Sequence, residues 1–64
     1  MKTVYRDYKV VYEFTKSNFG FQNQITINSN NEENAKRDAI DEIAKVYGSA
    51  MVKFFKIIKV TIKN

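Results

Sequence analysis

The sequence predicts an α+β domain of ββαβ order, a three-stranded antiparallel sheet (order 2-1-3) with one helix packed on one face. Three observations predict it. Residues 4–14 and 19–28 each alternate apolar and polar side chains with period two, and a short polar stretch separates them. A Ser-Asn-Asn-Glu-Glu cluster at 29–33 opens a segment whose apolar residues recur at helical spacing. The tail, VKFFKIIKVTIKN, is rich in β-branched residues, which lose rotamer freedom in a helix and pack well in a strand.

The first strand, about 3–15, places Val4, Arg6, Tyr8, Val10, Tyr12 and Phe14 on one face. Tyr5, Asp7, Lys9, Val11 and Glu13 lie on the other, so the even face is the inner one. Arg6 belongs to that inner set near the start of the sheet, a rim position where its stem packs and its head stays wet. Thr15 to Asn18 carry turn chemistry, with Gly20 just beyond. The second strand, about 19–28, turns Phe19, Phe21, Ile25 and Ile27 inward and Gln22, Gln24, Thr26 and Asn28 outward.

The helix spans about 31–47. Ser29 or Asn30 is the expected cap, with Glu32 or Glu33 completing a capping box. Ala35, Ala39, Ile40, Ile43, Ala44, Val46 and Tyr47 share one half of the cylinder, and the alanines let it lie close to a sheet. Gly48 ends it. The third strand then runs about 50–63, with Val52, Phe54, Ile58, Val60 and Ile62 inward. Strict alternation also puts Lys56 on that inner face, which calls for snorkelling at the rim or a bulge near Phe55 and Lys56. A hairpin and a helix need such a third strand for stability. A right-handed crossover from the second strand to the third, skipping the first, gives the order 2-1-3.

Sixty-four residues without a proline or a low-complexity linker make one domain, 1–64. With 44% hydrophobic residues and nine Phe and Tyr, a thin two-layer core is affordable. There is no cysteine and no histidine, so thiolate metal sites, disulfides and the commonest general base are all missing. The sequence therefore points away from an enzyme and calls for no cofactor. Asp38, Asp41 and Glu42 share a helix face, but a solvated face with an Asp41–Lys45 pair accounts for them better than a divalent cation. Nothing near Met1 resembles a signal peptide and no stretch is apolar enough to span a membrane, so a cytoplasmic location is expected.

Charge is divided between the elements. Residues 29–47 hold five acids against Lys36, Arg37 and Lys45, a net −2, whereas the sheet-forming segments sum to +6. The third strand is expected to show Lys53, Phe55, Ile57, Lys59, Thr61 and Lys63 on the open face, beside Tyr5 and Lys9. Lysines next to flat rings suit a single-stranded nucleic acid, with ammonium groups on phosphates and rings under bases. The same face suits a protein, with Tyr5, Phe55 and Ile57 as anchors, or a second copy of the chain, which would cover Phe55 and Ile57. Edge lysines that merely block aggregation are the plainest alternative. The hairpin tip, Lys16, Asn18 and Phe19, offers a second point of contact.

Two resemblances bear on these alternatives. The segment YGSAMVKFFKIIKVTI, 47–62, resembles the end of the archaeal ribosomal LX family, through Gly48, Ser49, Val52 and Lys53. The basic residues that follow the Val-Lys there are Phe54 and Phe55 here. The whole-chain outline, with NSNNEENAKRDAIDEIAK leading from strand into helix, resembles small phage-encoded anti-CRISPR proteins of ββαβ build. That resemblance implies a non-enzymatic inhibitor in the host cytoplasm, occluding a protein or ribonucleoprotein such as a Cas effector.

Overall fold

A computed structural model describes residues 4–63. The order is β1 (Arg6–Lys16), β2 (Phe19–Ser29), α1 (Glu32–Tyr47), a 3-10 helix (Ser49–Phe54) and β3 (Phe55–Ile62). The strands form one antiparallel sheet in the order β2-β1-β3, the expected ββαβ fold. Thr3, included in the expected first strand, lies outside the described residues.

The hairpin pairs β1 and β2 without interruption from Arg6 opposite Ser29 to Lys16 opposite Phe19. Its two-residue loop puts Ser17 at φ 56°, a conformation that costs a residue with a Cβ about 1–2 kcal/mol. The helix is capped one residue later than expected. Asn31 Oδ1 accepts from the Asn34 N–H at 2.8 Å, and Asn34 Nδ2 donates to Asn30 Oδ1 at 2.6 Å. Ser29 is unavailable because it still belongs to β2, buried opposite Arg6. Asn34 thus fills the third helical position, and Glu32 and Glu33 stand in the first turn, where the helix dipole favours their charge. Gly48 closes the helix at φ 99°, ψ 144°, donating its N–H to Ala44 O at 2.9 Å. Only glycine reaches that backbone region without strain.

Tyr8, Val10, Ile27, Ala35 and Ala39 form the centre of the core, with Ile25, Ile57 and Val60 packed against it. Ala35 and Ala39 are fully buried, so the helix backbone lies close to the sheet. Val46, expected on the buried half, is 70% exposed, and it is Tyr47 of the same turn that packs against the sheet through Phe21 and Phe55. A sixteen-residue helix is about 24 Å long, whereas eleven-residue strands reach about 36 Å. The helix therefore leaves the hairpin end of the sheet uncovered. An aromatic cluster fills that end: Phe55 stands 4.9 Å from Phe14 and from Tyr47, and Phe14 is 5.2 Å from Phe21 (ring centroids).

The third strand departs most from expectation. Residues 50–54 are not strand: Ser49–Phe54 wind as a 3-10 helix whose Met51 N–H donates to Gly48 O at 3.1 Å. The register against β1 breaks where Val11 faces Lys59 but Tyr12 faces Ile57. Ile58 is the extra residue of a β-bulge. Below it Phe55 and Ile57 oppose Phe14 and Tyr12, on the helix side; above it Val60 and Ile62 oppose Val10 and Tyr8, also on the helix side.

Candidate binding face

The bulge redistributes the residues expected to bind a partner. Phe55 and Ile57 do not lie on the open face; they are half-buried under the helix, near Ile40, Ile43 and Val52. Lys56, expected inward, is exposed on the open face opposite Glu13. Ile58, expected inward, is 45% exposed. The physical reason is a phase change. An extra residue before Lys59 swaps the faces of everything earlier in the strand, so Phe55 and Ile57 take the apolar side and Lys56 the wet one. Lys53 does not join the face either. It sits on the 3-10 helix with its Nζ 5.3 Å from the Phe54 ring centroid.

What remains on the open face is polar and cationic. Lys9 lies at its centre on β1, between Thr26 of β2 and Thr61 of β3. Lys56 and Lys59 come from β3. Lys63 follows the strand, its N–H donating to Asp7 O at 2.8 Å, and its Nζ reaches across to Thr26 Oγ1 at 3.4 Å. None of these four lysines lies within ion-pair distance of a carboxylate among the described residues; the only such pair is Lys45–Glu42 at 3.5 Å. Asp7 accepts instead from Asn28 Nδ2 at 3.0 Å. Gln22, Gln24, Thr26 and Asn28 continue the face along β2 with neutral hydrogen-bonding groups. Val11 and Ile58 are its apolar members, and the rings of Phe14, Phe21 and Phe55 all lie on the other side. Tyr5 precedes β1 and is 61% exposed.

The hairpin tip forms a separate group. Phe19 is 63% exposed although its ring stands 6.1 Å from Phe14. Lys16 Nζ lies 5.2 Å from the Phe54 centroid, so Phe54 has two ammonium groups over it, from Lys16 and Lys53. Asn18 is exposed in the turn. This group faces the helix side of the sheet and is not continuous with the lysine face.

On the helix, Lys45 pairs with Glu42 and not with Asp41, and no group of metal-ligating side chains stands together among the described residues. No helix among them is long and apolar enough to cross a membrane. Burial, and then its contacts with Tyr47, push the Tyr12 hydroxyl from the ordinary 10.0 up to about 12, with an Asn23 hydrogen bond opposing. Tyr12 lies inside the core, where it stays neutral and packs.

The lysine positions were visible in the sequence; their grouping was not, because alternation alone put Lys56 inside. The usable signal was Lys56 itself, a charge at a strand position that no core accepts unpaired. Compared with known proteins, the chain matches no family model, no curated protein and no solved structure.

Proposed function

We propose that the protein is a non-enzymatic binding module that docks its open sheet face onto the phosphate-rich surface of a ribonucleoprotein or its RNA and occludes it. The observation that supports this reading is a sheet face left bare by the helix, on which Lys9, Lys56, Lys59 and Lys63 outnumber Asp7 and Glu13 and lie outside ion-pair distance of any carboxylate among the described residues. Ammonium groups so placed gain by displacing counter-ions from phosphates. The inward turn of Phe55 and Ile57 removes the apolar anchors that a dry protein–protein contact on this face would use, and with them the motive for a homodimer there. It also removes stacking rings from the face, so recognition rests on phosphates and on the Gln22, Gln24, Thr26 and Asn28 row rather than on base stacking. Occlusion of a Cas-type ribonucleoprotein, in the manner of the anti-CRISPR proteins that the chain's outline resembles, is the specific form of this function that we favour.

The test is capture of partners from host lysate with and without nuclease, followed by anisotropy titrations with single-stranded RNA. Four phosphate contacts give a slope of log K against log salt of about −3. Lys56→Glu with Lys59→Glu is expected to abolish binding, whereas Lys53→Glu leaves the slope unchanged. Equal loss in both variants, or a flat salt dependence, removes this face from consideration.

A further inference from the structure

The two edges of the sheet are built differently. β3 defends its free edge in the usual ways: it is eight residues long, carries Lys56 and Lys59 and is broken by the bulge at Ile58. The free edge of β2 has none of these. Its eleven residues, FGFQNQITINS, contain no charge and no proline, and its ladder with β1 has no irregularity. The direction of its backbone groups follows from alternation. Asp7 O accepts from Lys63 N, so odd residues of β1 bond toward β3 and even ones toward β2. The even residues of β2, opposite those odd residues, therefore point their N–H and C=O groups outward. Gln24 agrees: its N–H donates to the side chain of Asn23 at 2.8 Å and not to β1. Asn23 thus covers one outward group, and the outward backbone groups of Thr26 and Asn28 have no partner among the described residues.

The same stretch, Ile25–Asn28, forms the floor of a groove of about 390 Å³ whose other wall is Asp38, Asp41 and Glu42 of α1, with Lys45 paired to Glu42. A strand added to this edge would lay alternate side chains along that acidic wall. We propose that the Thr26–Asn28 edge takes up an extended basic segment of another protein as a fourth strand, with its Lys or Arg side chains against Asp38 and Asp41. Charge decides the occupant. A second copy pairing through its own β2 brings an identical acidic wall to the contact, and like charges there oppose it, whereas a basic strand gains both ladder hydrogen bonds and Coulomb attraction. The side chains of Thr26 and Asn28 also belong to the lysine face, but Asp38 and Asp41 belong only to this groove and Lys56 and Lys59 only to that face, so variants at those pairs separate the two proposals.

The experiment titrates the full chain with a labelled synthetic peptide of alternating lysine and threonine, against a control of alternating glutamate and threonine, while following amide exchange. The lysine peptide is expected to bind and to slow exchange at Thr26 and Asn28, and the glutamate peptide is not. Thr26→Pro removes an outward N–H without touching the β1 ladder and is expected to abolish binding. Asp38→Asn with Asp41→Asn weakens it roughly tenfold. Unchanged exchange at Thr26 and Asn28 on peptide addition overturns strand addition, whether or not Thr26→Pro folds. Equal slowing of exchange at Thr26 and Asn28 by the two peptides overturns the charge assignment. Self-association of the chain that Thr26→Pro removes overturns the choice of occupant in favour of a second copy.

Discussion

Phe55 carries more of the structure than any other residue of the tail. Its ring meets Phe14 and Tyr47 at 4.9 Å, Tyr12 at 5.6 Å and Phe21 at 6.4 Å, tying both other strands and the end of the helix to β3. Phe55→Ala is expected to cost about 3 kcal/mol, a large share of the stability of so small a domain, and to appear as a loss of the thermal transition. A variant that melts normally would return Phe55 to the surface. Tyr12 makes a different prediction. Its folded pKa of about 12 lies above the ordinary 10.0, so the fold favours the neutral hydroxyl. That contribution is complete below pH 10 and is lost as pH rises through 12. Melting the protein beside Tyr12→Phe should give a constant difference up to pH 10 and a shrinking one above it; a constant difference throughout would place the hydroxyl in water.

At the level of elements, the bulge explains a tail that alternation alone misreads. Faces assigned by counting back from Val60 are right at Val60 and Ile62 and inverted at Phe55, Lys56, Ile57 and Ile58. Deleting Ile58 leaves Ile57 inward, Lys59 outward and Val60 inward, an unbroken ladder. The deletion, which is the same whichever of the two adjacent isoleucines is removed, is therefore expected to fold with its circular dichroism unchanged, whereas deleting Val60 should unfold the chain; an unfolded isoleucine deletion would show that the bulge is required and not merely accommodated. Both hairpin faces and the place of the helix were legible because each rests on periodicity over ten residues or more, and the strand order because the handedness of the crossover leaves one arrangement. The bulge was legible only as one of two ways to keep Lys56 out of the core, and it falls at Ile58 rather than at Phe55 and Lys56; the cap and the 3-10 turn were not legible, since each depends on one residue, Ser29 being held in β2 and Met51 reaching Gly48 O. The hairpin loop yields a further expectation. Ser17→Gly relieves a positive φ at the cost of a looser unfolded chain and should raise stability by about 0.5 kcal/mol in denaturant titration; destabilisation would mean that the Ser17 side chain makes a contact worth more than the strain.

Across the whole molecule, charge is arranged by layer. The open face holds Lys9, Lys56, Lys59 and Lys63 against Asp7 and Glu13, a net positive layer, while Asp38, Asp41 and Glu42 lie at the opposite layer beside β2. A ribonucleoprotein of the kind proposed above presents both phosphates and the basic segments that bind them, and this division of charge would meet each with its opposite. In the free protein the lysines repel one another, so added salt should raise the midpoint of unfolding, corresponding to a gain in unfolding free energy on the order of 0.5 kcal/mol between low and physiological ionic strength. A midpoint that falls with salt would mean that attractive pairs outweigh this repulsion.

The extents of the molecule, 47 × 21 × 15 Å, have a consequence for how it tumbles. The helix starts beside the end of β2 and finishes with Tyr47 at Phe21, so it runs back along the strands and along the long axis. Its N–H bonds point down that axis, while those of the sheet point across it. A rod spins about its length faster than it turns end over end. Helix amides, blind to the spin, should therefore show a higher ratio of transverse to longitudinal nitrogen-15 relaxation than strand amides of equal rigidity, and the two populations would report the orientation of α1 on the sheet without a single distance restraint.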